Sequence, residues 1–223
     1  MTDTQNEFIA VIDTETSSLD PATGHLLEWA VALWHIPTAS MMQCASYMCQ
    51  GQENAAIAVN GISPHLMMKA APFKAERLRA WVSQAHCVLA WNADFDRGWL
   101  PDLGVPWLCA MDDFVWPGKS HAKSLVDTAL AHGLGVASAH RAIDDVLLLC
   151  RLLTRAAEIG NIESIIAHAK QPRFLYRALV KFTDNQLAKD AGFKWVRESK
   201  DWVKKLRPED VGSLPFRCEI ITR

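Results

Sequence analysis

No two of the six cysteines stand at C-x-x-C spacing, and no apolar run approaches the roughly 20 residues that span a bilayer. The seven histidines other than His140 (His25, His35, His65, His86, His121, His132, His168) show no metal-ligand spacing with one another, so surface or structural places are expected for them. There is no internal repeat, no low-complexity tract, and no basic stretch leading into an apolar one in the polar segment Met1–Glu7. These absences argue against a zinc ribbon, a membrane-spanning protein, a solenoid and a secretion signal. Most of the cysteines (Cys44, Cys49, Cys87, Cys109, Cys150, Cys218) sit inside apolar runs. Buried, reduced thiols in a cytoplasmic protein are therefore expected, not a disulfide framework.

Half of the 223 residues are hydrophobic, enough for one substantial core and a small appendage. The net charge of −2 hides an asymmetry. Residues 1–170 hold 11 basic and 18 acidic side chains, a balance of −7, whereas residues 171–223 hold 12 and 7, a balance of +5. An acidic body with a basic tail points to an acidic ligand.

The hydrophobic pattern alternates between classes. Short buried strands are expected at Phe8–Asp13, Glu28–Ile36, Met41–Cys49, His86–Trp91 and Trp107–Met111, the second and third forming a hairpin around Pro37–Ser40. Ser63-Pro64 can open a helix, and helices are expected at Pro72–Ala85, Asp94–Leu103, Ser124–Leu134 and Arg141–Glu158. A hairpin followed by alternating strands and helices gives an α/β fold, a mixed sheet flanked by helices. A second unit begins near Gln171-Pro172. There Thr183–Gln186 fits a capping box and Gly192 a helix stop, with two short strands at Phe193–Arg197 and Asp201–Leu206.

Three stretches carry the chemistry. In "VIDTETSSLD" Asp13 and Glu15 are two residues apart on an extended chain, so they project to one side, while Asp20 belongs to a solvated turn. Two such carboxylates at a buried strand repel each other, and a hard divalent cation is the natural compensation. "AWNADFDRGWL" places Asp94 and Asp96 where a strand hands over to a helix. In "ASAHRAIDDVLLLCRLL", Asp145 shares an apolar helix face with Ala142, Leu149 and Leu152, and Asp144 lies about 100° away. His140 can approach Asp145 only from the loop or the first turn, with Ser138 at or near the N-cap.

Together "DTETSSL", "NADFD" and "HRAIDD" resemble the three ordered motifs of the DEDDh family of 3′–5′ exonucleases, in its proofreading and exodeoxyribonuclease X branches. The likeness covers about residues 8–158, and Asn60–Phe73 resembles the linker before the family's first long helix. The resemblance implies a ribonuclease H-like fold for residues 1–160. It implies Asp13, Glu15, Asp96 and Asp145 as ligands of two Mg²⁺ or Mn²⁺ ions, and His140 as the general base. Asp13 would bridge the ions and Asp96 would bind less directly. Asp94 and Asp144 fall at variable positions. Thr14, Thr16 and Leu19 would contact the substrate, Leu19 as a wedge beside the terminal base; a plain core contact is the other reading of Leu19. Two positions depart from the pattern: Ser18 stands where the family usually has Gly, and Trp91 where it usually has His before Asn-Ala.

The implied activity is removal of nucleoside 5′-monophosphates from the 3′ end of DNA, single-stranded or frayed, with an exoribonuclease as the alternative. A rival from another class is a non-catalytic module binding nucleic acid or a polymerase, and retention of all four acids and the histidine argues against it. A phosphoesterase acting on nucleotides or short oligomers is a third reading. The partner expected is nucleic acid, DNA favoured over RNA, with no membrane; no motif addresses a polymerase or another protein partner. The small basic α+β C-terminal domain, residues 171–223, interleaves Phe193 and Trp195 with Lys194, Arg197, Lys200, Lys204, Lys205 and Arg207. That pattern suits a single-stranded nucleic-acid platform, or a satellite domain whose aromatics form its own core.

Overall fold

The computed structural model describes residues 7–118 and 124–221. His121 and the polar start of the chain, 1–6, lie outside them. The chain divides into two compact units, Met1–Lys170 and Gln171–Arg223.

The first unit is built on five strands: β1 (Phe8–Thr16), β2 (Leu26–His35), β3 (Ser40–Met48), β4 (Cys87–Ala90) and β5 (Trp107–Cys109), in the order β3-β2-β1-β4-β5. The hairpin side is antiparallel, whereas β1–β4 and β4–β5 are parallel. Parallel neighbours need crossover connections. These run through α1 (Ile57–Asn60), α2 (Pro64–Met68) and α3 (Ala75–Val82) between β3 and β4, and through α4 (Ala93–Trp99) between β4 and β5. After β5 come α5 (Leu125–Ala131), α6 (Ala142–Ile159) and α7 (Ile162–Ala169).

Alternation along β1 sorts its side chains to two cores. Ile9 and Val11 join Trp34, Leu149 and Leu152 beneath α6, while Ala10 and Ile12 join Trp29, Leu78 and Val82 beneath α3. Each large apolar side chain fully buried in these layers contributes about 1.5–3 kcal/mol. Trp29 and Trp34 are buried, and Trp81, Trp99 and Trp107 are half-buried.

Several boundaries differ from the pattern in the sequence. β1 runs to Thr16 and not to Asp13, because Thr14, Glu15 and Thr16 find partners on β2. The helix expected at Pro72–Ala85 covers only Ala75–Val82. α4 stops at Trp99, with Leu100 extended before Pro101, a residue that disfavours helical geometry in its predecessor. α6 begins at Ala142, with Arg141 and not Ser138 at its N-cap. α7 had no counterpart in the hydrophobic pattern, yet Ile162, Ile166 and Ala169 belong to the α6-side core. The first unit therefore extends beyond residue 160 to Lys170.

The second unit is a four-stranded antiparallel sheet ordered β7-β8-β6-β9, from β6 (Phe174–Ala178), β7 (Lys194–Val196), β8 (Asp201–Leu206) and β9 (Cys218–Ile220). Two short helices accompany it, α8 (Asn185–Asp190) and α9 (Pro208–Val211). Gly192 takes φ +79° after α8, the left-handed stop expected of it. The capping box does not form: Thr183 lies in a 3₁₀ turn, Phe182–Asp184, and its hydroxyl donates to Asp184. All six cysteines are free, with Cys44 exposed and Cys49, Cys87, Cys109 and Cys150 buried. Burial pushes the Cys49 and Cys87 thiols up to about 12, which leaves them unreactive. Among the described residues no helix is long and apolar enough to cross a membrane.

Candidate active site

β1 supplies the first two acids. Asp13 and Glu15 continue the face of Ile9 and Val11, so they project toward the end of the sheet where α6 begins. The register places Ala30 opposite Asp13 and Glu28 opposite Glu15. Asp145 comes from the first turn of α6, on the stripe of Ala142, Leu149 and Leu152, all buried. One carboxylate oxygen from each of Asp13, Glu15 and Asp145 lies within 4.8 Å of the others. Asp96 is outside that triad. It is only 2% exposed, on the first turn of α4, and its Oδ1 accepts a 2.8 Å hydrogen bond from the Thr14 hydroxyl. Asp94 and Asp20 are exposed, and Asp144 is half-buried.

This crowding shows in the protonation of the acids. Burial, reinforced by the charges of Asp96, Asp145, Glu15 and Glu28, raises Asp13 well above the usual carboxylate range. Glu15 is raised to about 7, first by burial and then by Asp145 and Glu28. Asp96 is likewise pushed up to about 7 by burial, although its hydrogen bond from Thr14 works the other way. Burial raises Asp145 too, against the backbone N–H of His140. The groups are all hard oxygen donors that repel one another, so they suit hard divalent cations, which would supply the missing positive charge.

His140 is exposed, one residue before the N-cap of α6, with φ +63°. Its backbone N–H donates to Asp145 Oδ2 at 3.3 Å. The histidine thus adjoins the acid cluster from the loop side, without needing a place on the helix.

The residues expected to touch substrate fall into two groups. Leu19 is 86% exposed, so it makes no ordinary core contact. Thr14 and Thr16 are buried. Thr14 anchors Asp96, and the Thr16 hydroxyl donates to the Ser18 carbonyl at 2.6 Å, tightening the loop that presents Leu19. Ser18 does not take positive φ, so this loop conformation does not require glycine there. Its hydroxyl accepts from the Asp20 N–H. Trp91 stacks on Trp116 with ring centroids 6.2 Å apart, a packing role.

Two features escaped the motif pattern. Asn54 and Asn60, both buried, form a side-chain bridge in which Asn60 accepts from Asn54 and from the Ile62 N–H and donates to the Thr16 carbonyl. Glu28 is buried and paired with Arg141. Arg141 stands inside the third motif, but its partner lies 113 residues away, a separation no local pattern reveals.

A family model described as a domain of unknown function (DUF8626) matches residues 174–221. No curated protein matches the chain. Among solved structures, exonuclease X in complex with 5′-overhanging duplex DNA is 22% identical and aligns over 72% of this chain and 99% of its own, with a TM-score of 0.56. E. coli exonuclease I in complex with a dA16 oligonucleotide is 13% identical over 95% of this chain and 68% of its own, with a TM-score of 0.60. The nuclease domain of 3′hExo, a DEDDh family member bound to rAMP, is 15% identical over 71% of this chain and 96% of its own, with a TM-score of 0.57. At these identities the likeness is one of fold. The chain has the ribonuclease H-like architecture of these exonucleases, a mixed five-stranded sheet with flanking helices, and a second small sheet unit.

Proposed function

We propose that this protein is a metal-dependent 3′–5′ exonuclease that releases nucleoside 5′-monophosphates from DNA. The observation that carries the reading is the meeting of Asp13, Glu15 and Asp145 within 4.8 Å, with Asp96 buried behind Thr14 and His140 beside Asp145. A solvated acidic surface would not raise its carboxyls to about 7, as Glu15 and Asp96 are raised.

Asp13, Glu15 and Asp145 would hold two Mg²⁺ or Mn²⁺ ions, with Asp96 contributing from its set-back position. When bound, such ions favour ionisation of the attacking water and offset charge on the leaving oxygen. The chain's own groups do the rest. His140, exposed beside Asp145, takes the proton from the attacking water, a task its residue type performs near neutral pH. The Thr16–Ser18 bond and the Asn60 bridge hold the loop on which Leu19 stands clear of the core, where it can wedge against a terminal base. Thr14 fixes the rotamer of Asp96.

The related folds were solved with duplex DNA, a DNA oligonucleotide and rAMP, so both nucleic acids suit this kind of site. DNA is the favoured substrate, and RNA the alternative. The unit Gln171–Arg223 would help hold the strand through its positive balance. Phe193 is buried in that unit's own core beside Ala188 and Phe216, so it cannot stack on a base. Trp195, 46% exposed, and Phe182, 90% exposed, remain as stacking surfaces.

The test compares linear DNA and RNA oligonucleotides of one sequence with a circular single-stranded DNA. Degradation of linear DNA faster than linear RNA, with the circle intact, is the expected result. Cleavage of the circle would refute an end-dependent enzyme, and faster RNA degradation would reverse the substrate assignment.

A further inference from the structure

Beside the four acids lies a further carboxylate, itself buried, that belongs to no cation cluster among the described residues. Glu28 is 2% exposed, directly across the ladder from Glu15. Its charge raises both Asp13 and Glu15, so it works against the acids around it. A buried charge in such a place needs a compensating role.

Its hydrogen bonds supply one. The Arg141 guanidinium grips it with two bonds, Nε to Oε2 at 2.9 Å and Nη2 to Oε1 at 3.0 Å. The Ser46 hydroxyl donates to Oε1 at 2.6 Å, and the Ala142 N–H to Oε2 at 3.3 Å. Ala142 is the first residue of α6, whose own N-cap residue, Arg141, offers no capping side-chain bond. Glu28 therefore caps α6 from β2, and a carboxylate at a helix N-terminus is favourably placed. Arg141 separates that helix from His140, which sits at φ +63°. A non-glycine residue there costs on the order of 1 kcal/mol and persists only where its surroundings impose it. The bidentate grip on the next residue is such a restraint.

We propose that Glu28 is a positioning residue: through Arg141 and the Ala142 N–H it locks the turn that presents His140 and the helix turn that presents Asp145. The catalytic consequence rests on the exonuclease reading; the lock itself does not.

The test uses the full chain and the variants Arg141→Ala, Arg141→Lys, Glu28→Gln and the pair Glu28→Gln/Arg141→Ala, with Arg141→Ala also made in a His140→Ala background. The Arg141 side chain is 37% exposed, so its substitutions leave the core intact even if Glu28→Gln does not fold. Arg141→Ala should lower kcat roughly 10²-fold, the scale of a misplaced general base, with KM changed less than about threefold. Arg141→Lys should recover only part, because an ammonium cannot form the fork. In the His140→Ala background the same substitution should cost markedly less, because only the placement of Asp145 is then at stake, and the pair should cost less than the product of the two single losses. Equal losses in both backgrounds would mark Arg141 as merely structural and overturn the proposal. Amide exchange across residues 137–146 provides a readout independent of cleavage. It should quicken roughly tenfold or more in Arg141→Ala. Unchanged exchange overturns the lock whatever the wild-type activity. Quickened exchange in a protein whose wild type cleaves nothing would retain the lock, but remove the exonuclease reading and the catalytic role assigned to it.

Discussion

Replacing Asp96 by Asn should make the cation-free protein more stable at pH 8 while abolishing cleavage. Asp96 is 2% exposed and its carboxyl is raised to about 7, chiefly by burial. A carboxyl with a folded-state pKa above its unfolded value favours the folded state when protonated. The stability is therefore greatest at low pH and is lost as pH rises from the ordinary carboxylate value toward the folded one. Between pH 5 and about 7 the loss amounts to roughly 3 kcal/mol, at about 1.4 kcal/mol per pH unit. Asparagine keeps an oxygen to accept the Thr14 hydroxyl and removes the charge. It also relieves Asp13, which Asp96 raises, so the effect on the neighbour has the same sign. For a unit of this size, roughly 3 kcal/mol corresponds to about 6–12 °C in Tm. Melting in EDTA at pH 5 and pH 8 reads the effect. The wild type should lose that much more than Asp96→Asn on going to pH 8, and Mg²⁺ or Mn²⁺ should restore the wild type more than the variant. Parallel losses in the two proteins would refute the claim that Asp96 is buried, charged and unneutralised without cations.

Other outcomes follow from the same geometry. Leu19→Ala should leave Tm within about 1 °C, since an exposed side chain contributes little to folding, yet raise KM for oligonucleotides several-fold; steady-state kinetics and melting check the two halves. Asn60→Ala should cost roughly 1–3 kcal/mol through the bonds lost by the Ile62 N–H, the Thr16 carbonyl and one Asn54 amide hydrogen, and urea melts measure it. Ending the chain after Lys170 should give a folded nuclease-type unit with raised KM and a flatter salt dependence of binding, whereas ending it after Gly160 should destabilise the unit by removing Ile162, Ile166 and Ala169 from the core. An unchanged salt slope in the folded truncation would deny the second unit a part in strand binding.

Much of this was legible in the sequence because it is local. The period of two in β1 aligned Asp13 with Glu15, and the period of 3.6 in α6 set Asp145 among apolar residues. His140 had to come from the loop before that helix, and there the structure places it, though with a left-handed backbone that no pattern suggested. What stayed hidden depends on distance along the chain. Glu28 reads as one polar residue in an apolar strand until Arg141 comes beside it. Asn60 reads only as the start of a linker until its amide meets the Thr16 carbonyl, 44 residues earlier. The extra residues of β1 exist because β2 pairs with them, and β6 and β9 exist because β8 and β6 offer edges. The capping box at Thr183 failed for the opposite reason: a local signal lost to a 3₁₀ turn ending at Asp184.

The most direct measurement is the product of cleavage. Purified protein is incubated with 5′-labelled single-stranded DNA in Mg²⁺ or Mn²⁺, beside EDTA and Asp13→Ala controls. A ladder shortening from the 3′ end, release of nucleoside 5′-monophosphates, and silence in both controls is the result this account predicts. Oligonucleotide binding without any shortening, in the presence of either cation, would contradict it and make the protein a binding module built on a nuclease fold.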